Sequence, residues 1–172
     1  MLKKLLYILI ILFTTTVSSQ LSKTHYIPPI TSGPSNADPI DQYLYISTPS
    51  DGEVNFTINI IGSTSISGTV SNSIPYRYTI SNSGYSSFVQ DPSSTRKVTS
   101  DKGFIIEADS PIYVSARLNA GNSDQAGALV SKGDNSLGTT FRIGTYNSEN
   151  SQNLTNRQNY LSFFSFMATE DN

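Results

Sequence analysis

Cysteine and tryptophan are absent from this sequence, histidine occurs once, and charged residues make up only 14% of it. Without cysteine there can be no disulfide, no thiolate nucleophile and no cysteine-ligated metal. The formal net charge of -2 leaves no electrostatic footprint for nucleic acid. With one histidine, His25, set beside Tyr26 in a proline-rich stretch, a Ser-His-Asp relay lacks a rigid scaffold, and no GxSxG elbow is present. His25 reads as an exposed bystander. Paired carboxylates for a glycosidase are also missing, because the acidic residues are few and scattered. Glu53 and Glu107 read as outward strand positions and Glu149 as a solvated loop residue. The expectation is a protein that is not an enzyme.

What is present points to export and to pleated sheet. Met1-Leu2-Lys3-Lys4 is a basic start, Leu5 to Phe13 is an unbroken apolar run, and Thr14 to Ser19 turns small and polar. That is the pattern of a secretory signal peptide over residues 1–19, cleaved before Gln20. Nine apolar residues are too few to span ~30 Å of hydrocarbon as an anchor. Loss of Lys3 and Lys4 takes the charge from -2 to -4, so the exported chain is mildly acidic. The expected location is secreted, at the cell surface. Residues 20–41, with Pro28, Pro29, Pro34 and Pro39, read as an extended lead-in.

Residues 42–172 carry the β signal. Tyr, Phe, Ile, Val and Thr are plentiful, a composition that suits a pleated, half-buried surface. Val54, Phe56, Ile58 and Ile60 alternate with Asn55, Thr57 and Asn59, and Ile112, Val114, Ala116 and Leu118 alternate with Tyr113, Ser115, Arg117 and Asn119. A period of two places one set inward and the other outward. Further strands are expected over 42–46, 65–70, 76–80, 86–90, 96–99, 104–106, 126–130 and 139–145. Ala108-Asp109-Ser110-Pro111 has turn chemistry and should separate 104–106 from 112–118 as an antiparallel pair. Tyr160 to Ala168 is apolar on both phases, as an interior strand would be. It ends so near Asn172 that the sequence is expected to continue in a longer protein. No helix is expected. Short strands broken by Gly, Pro and Asn argue for an all-β fold, an antiparallel β-sandwich of jelly-roll or Ig-like type.

Binding candidates follow from this pattern. Arg117 points outward with Tyr113 on the same face, and Arg142 points outward from the strand expected at 139–145. Arg and Tyr are enriched where interfaces concentrate their energy. An exposed aromatic platform for sugars would draw on Tyr76, Tyr78 or Tyr85. No cofactor is expected. Calcium is the one cation with candidate ligands, Asp124 and Asp134 with Asn135, but the EF-hand pattern is absent and such loops ordinarily serve turn geometry. Asn55-Phe56-Thr57 and Asn153-Leu154-Thr155 are sequons that matter only in a eukaryotic secretory pathway.

Four short segments occur in a suggestive order: Ser110-Pro111-Ile112-Tyr113-Val114, Ala128 to Gly133, Leu137 to Arg142, and Ala168-Thr169-Glu170-Asp171-Asn172. Together they resemble the N-terminal β-domain of IgGFc-binding-protein-like sequences. The resemblance is nearest to the form that opens large type IX-secreted, gliding-associated surface proteins of Bacteroidetes. It spans roughly residues 42–172. Where the broader family has a Leu-Pro step, this chain has Ala128 to Gly133, so the resemblance does not carry immunoglobulin binding across. It implies a non-catalytic binding or structural module of an adhesin-like surface protein. Its partner would be a surface protein, a glycan or neighbouring domains of the same polypeptide, with no nucleic acid involved. A carbohydrate-binding module of an exported glycan-degrading system is the alternative.

Overall fold

The computed structural model describes residues 20–31, 39–94, 97–120, 126–144 and 164–169. The expected signal peptide, Asp124, Glu149 and the second sequon lie outside them. The strands are β1 (Ser22–Ile27), β2 (Ile30–Thr31), β3 (Pro39–Ser47), β4 (Val54–Ile60), β5 (Ser65–Val70), β6 (Tyr76–Ser83), β7 (Val89–Gln90), β8 (Phe104–Ala120) and β9 (Ala126–Val130). Two 3-10 turns, Pro92–Ser94 and Gly133–Ser136, complete the regular elements. The fold is all-β, and seven of these strands form one curled, antiparallel sheet. Among the described residues no helix is long and apolar enough to cross a membrane.

The sheet is organised around β8, whose 17 residues are shared between two sets of neighbours. Its first half pairs with β4 and β1, and its second half with β3 and β9. β5 extends β4 outward, and β6 extends β3. Phe104, Ile106, Ile112, Val114 and Ala116 are buried along β8, so even-numbered residues face inward from end to end. Ile27, Leu44, Ile46, Val54, Phe56, Ile58 and Val70 meet them in one cluster with Phe88 and Val89. The curl brings the inner faces of the two halves together, and the Phe56 ring of β4 stands edge-on to Tyr76 of β6 at 4.8 Å. Gly68 of β5 lies directly opposite Phe56, where a Cβ would come within 2.7 Å of the ring.

The expected turn at Ala108–Pro111 is instead the middle of β8. Asp-Ser-Pro suits a turn, but here it fills the place where the strand changes partners and no ladder donor is required. Residues 107 to 112 of β8 are spanned by only Ser22 to Thr24 of β1, a bulge that isolates this segment from the ladder. Thr48 Oγ1 at the end of β3 donates to the Pro111 carbonyl at 3.0 Å.

The lead-in contributes β1, β2 and the first residues of β3. Pairing with β8 overrides its proline content, since Pro28 and Pro29 fall between β1 and β2. The run at 86–90 is reduced to β7, which pairs in parallel with β2. Ser86 acts as a local clamp there: its Oγ accepts from the Phe88 and Val89 amides at 3.0 and 3.1 Å and donates to the buried Gln42. No strand forms over 97–99 or 139–144, and the described end of the last apolar run, 164–169, is irregular as well. Phe164 and Phe166 are exposed and touch each other, and Phe166 also touches Phe141, rather than forming an interior strand.

Because Val114 is fully buried at the centre of β8, Val114→Asp places an unpaired charge in the core. The cost is several kcal/mol, comparable with the whole stability of a domain. Circular dichroism should show loss of the cooperative melt for Val114→Asp and a normal melt for Arg117→Ala, whose side chain is outside. A wild-type melting temperature for the aspartate variant refutes the core assignment.

Candidate binding face

The outward stripe of the half-sheet β6-β3-β8-β9 holds the densest arrangement of recognition-type side chains among the described residues. In β3, Leu44 and Ile46 point inward, which leaves Tyr43 and Tyr45 outside. Tyr43 is paired in register with Arg117 of β8 and Tyr45 with Arg77 of β6. Each arginine reaches diagonally: Arg77 Cζ stands 4.9 Å from the Tyr43 ring centroid and Arg117 Cζ 5.3 Å from that of Tyr45. The tyrosine rings are themselves edge-to-face at 6.1 Å. Each stacked guanidinium contributes about 0.5–1 kcal/mol at an exposed site, enough to hold the flat group over the ring.

Stacking engages a guanidinium through its face and leaves its N–H edge for an anion. Among the described residues neither arginine forms an ion pair. Asp41 lies at the margin, where its Oδ1 accepts from the Tyr43 hydroxyl at 3.2 Å. The Tyr43 phenol is pushed above its ordinary pKa by desolvation first, then by the hydrogen bond and charge of Asp41, so it remains a neutral donor.

Of the residues expected to form a binding face, Arg117 is in this ladder. Tyr113 lies on the same outward phase of β8, half-buried and opposite Ser47 of β3. Arg142 is not brought to it by strand pairing: residues 139–144 form no strand, so its expected alternation is lost although the side chain is exposed. Tyr76 and Tyr78 pack against the core, and burial raises the Tyr78 phenol. They cannot form an outer platform; Tyr85 alone of the three is exposed. Sequence reasoning missed Tyr43, Tyr45 and Arg77. The signal was there in phase, since Arg77 and Thr79 are the polar positions of β6 and put Tyr76, Tyr78 and Ile80 inside.

His25 is the largest departure. It is fully buried, not exposed, and its Nε2–H donates to the Ile112 carbonyl at 2.9 Å across the β1 bulge. Among the described residues its Nδ1 has no hydrogen-bond partner. Ser22 Oγ, one turn of the ladder away, donates to Asp134 Oδ2 at 2.7 Å and accepts from the Asp134 amide at 3.3 Å. Serine, histidine and aspartate are thus neighbours, but the hydroxyl points its proton at the carboxylate and the imidazole bonds a backbone carbonyl. No nucleophile-to-base contact exists. Gly133, which starts the 3-10 turn holding Asp134 and Asn135, has φ +54, and a Cβ there would come within 2.2 Å of the Ser22 Cβ. The cluster is a seam between β1 and the end of β9. No group of three or more acidic or histidine side chains placed to hold a metal occurs among the described residues.

On the other half-sheet, the outward phase is acidic and amide-rich. Asn59 Nδ2 donates to Glu107 Oε2 at 2.9 Å and Asn55 Nδ2 to Asp109 Oδ2 at 2.7 Å. Ser65 Oγ donates to Asn59 Oδ1 at 2.7 Å, continuing the chain of bonds to β5. The first sequon therefore lies on an exposed strand with its amide engaged.

No family model matches this chain, and no curated protein does. Among solved structures it is similar to one described as "Crystal Structure of Thermotoga maritima 1070", at 11% identity and a TM-score of 0.31, over 64% of this chain and 92% of that one.

Burial holds the His25 pKa below 6.5, against smaller upward pulls from the Ile112 and Ser22 carbonyls and the Asp134 charge. Above pH 6.5 the imidazole is neutral folded and unfolded, and its contribution to stability is complete. Below 6.5 the unfolded chain takes up the proton first, so stability falls until the folded pKa is passed. The slope approaches about 1.4 kcal/mol per pH unit. Denaturant melts between pH 7 and 5 should show this decline, and His25→Gln should remove it. A flat profile for the wild-type chain refutes the assignment, since no other histidine contributes.

Proposed function

We propose that this chain is an exported, non-catalytic module at the start of an adhesin-like cell-surface protein. It would be related to the N-terminal β-domain of IgGFc-binding-protein-like sequences in the form found on type IX-secreted, gliding-associated proteins. It works by binding through a sheet face held rigid by the fold. The observation that carries this reading is the Arg77–Tyr43–Tyr45–Arg117 ladder. Its guanidiniums are stacked on rings, form no ion pair among the described residues and lie on regular strands. Preorganised arginine and tyrosine on a sheet face serve recognition rather than bond-breaking chemistry.

The sugar-binding alternative calls for bare aromatic faces. Tyr76 and Tyr78 are turned inward, and Tyr43 and Tyr45 are capped by arginine, so that reading has less support.

The test is made on cells carrying the complete gene with an epitope tag inside this module. Protease added to intact cells should remove the tag, and attachment to surfaces should fall about tenfold in Arg77→Ser/Arg117→Ser cells with unchanged surface display. A tag protected from external protease, or undiminished attachment by the double variant, overturns the proposal.

A further inference from the structure

The two outward faces of this sheet carry opposite charge, and both are drawn from one strand phase. Glu107, Asp109 and Arg117 are all odd-numbered residues of β8, on its outward side. Glu107 and Asp109 project from the β4 side of the molecule, while Arg117 projects from the β3 side with Arg77. The inner faces of the two halves meet at Phe56 and Tyr76, so the outer faces look away from each other.

We propose that the Arg77–Tyr43–Tyr45–Arg117 face of one copy docks on the Glu107–Asp109 ladder of a second copy, so that copies associate head to tail. Both surfaces are laid out on alternate strand residues. Glu107 and Asp109 are alternate residues of a strand, about 7 Å apart at ~3.4 Å per residue. The rings that seat the guanidiniums, Tyr43 and Tyr45, are also alternate residues of a strand, with centroids 6.1 Å apart. Each carboxylate is oriented by one asparagine amide through a single oxygen, Glu107 Oε2 and Asp109 Oδ2. The second oxygen of each is left to accept from an incoming N–H. Among the described residues neither carboxylate has a basic partner, and neither arginine has an acidic one. The unpaired groups of one face are complementary in charge to those of the other.

Such a contact uses different surfaces on the two copies, and faces that look apart give an open chain rather than a closed pair. Exposed ion pairs contribute at most about 1 kcal/mol each. Association between free molecules is therefore weak and salt-sensitive, and it strengthens where many copies share a surface. It does not depend on the export proposed above, since it is a property of the isolated chain.

Sedimentation of the purified full chain tests it. The weight-average mass should rise with protein concentration at about 0.01 M salt and return to the monomer value at about 1 M, where the Debye length is only ~3 Å. Arg77→Glu/Arg117→Glu and Glu107→Arg/Asp109→Arg should each weaken self-association at least tenfold while keeping wild-type melts. An equimolar mixture of the two variants should restore it, because the acidic face of the first then meets the basic ladder of the second and the reverse. The salt series on the wild-type chain needs no variant and decides the matter if either one fails to fold. A monomer at every concentration and salt, charge-reversed variants that associate like the wild type, or a mixture that stays monomeric overturns the proposal. So does retention on an acidic polysaccharide column without self-association.

Discussion

Pairing on both edges of a single long strand holds this molecule together. β8 gives its first half to β1 and β4 and its second half to β3 and β9, so its backbone donors and acceptors are met from both sides. A strand paired on both edges has no open ladder for aggregation, and its inward phase lies at the centre of the core. Phe104, Ile106, Ile112, Val114 and Ala116 thread that core from one half to the other. Every other strand of the seven-stranded sheet reaches the core through contact with this one or with a neighbour of it, and the position of each outer face follows.

The partner change in β8 creates a buried polar seam. Where β1 skips residues of β8, the Ile112 carbonyl is covered by His25 rather than by a regular ladder bond, and Thr48 covers the carbonyl of Pro111. Ser22 and Gly133 close the same place from the β9 side. A histidine suits this position because one ring nitrogen supplies a donor at a reach that a backbone amide on β1 does not have. The cost is an imidazole with its other nitrogen unpartnered in the interior, which makes the neutral ring part of the fold.

Much of this was legible in the residues, and the failures have a common physical origin. The alternation in Val54–Ile60 and in Ile112–Leu118 translated directly into β4 and the second half of β8, since both strands bury one face only. The Ala108–Pro111 segment misled because turn propensity is local, whereas pairing on either side of it, at Phe104–Ala108 and at Ile112–Ala120, holds the chain extended from outside. His25 misled for the same reason: proline neighbours suggest an exposed lead-in, but β8 offers an edge that pulls residues 22–27 into the sheet. The β2–β7 pair is two residues long and parallel, too short to leave any periodicity. Over the described parts of two further runs, 139–144 and 164–168, β-prone composition lacked a partner edge among the described residues, and composition alone does not make a strand.

The outward face was read from the correct phase of β8 but only from β8. Arg117 was identifiable because its own strand alternates cleanly, while its neighbours on the face come from β3 and β6, whose order beside β8 is set by topology. Once the order β6-β3-β8 is known, phase does the rest. Leu44 and Ile46 send Tyr43 and Tyr45 out, and Tyr76 and Tyr78 going in sends Arg77 out. The same reasoning makes the charge separation a consequence of the curl. One stripe of odd residues carries Glu107 and Asp109 early and Arg117 late, and on a flat sheet these would lie on one surface. Curling the sheet around its core turns that stripe into two faces with opposite outlooks.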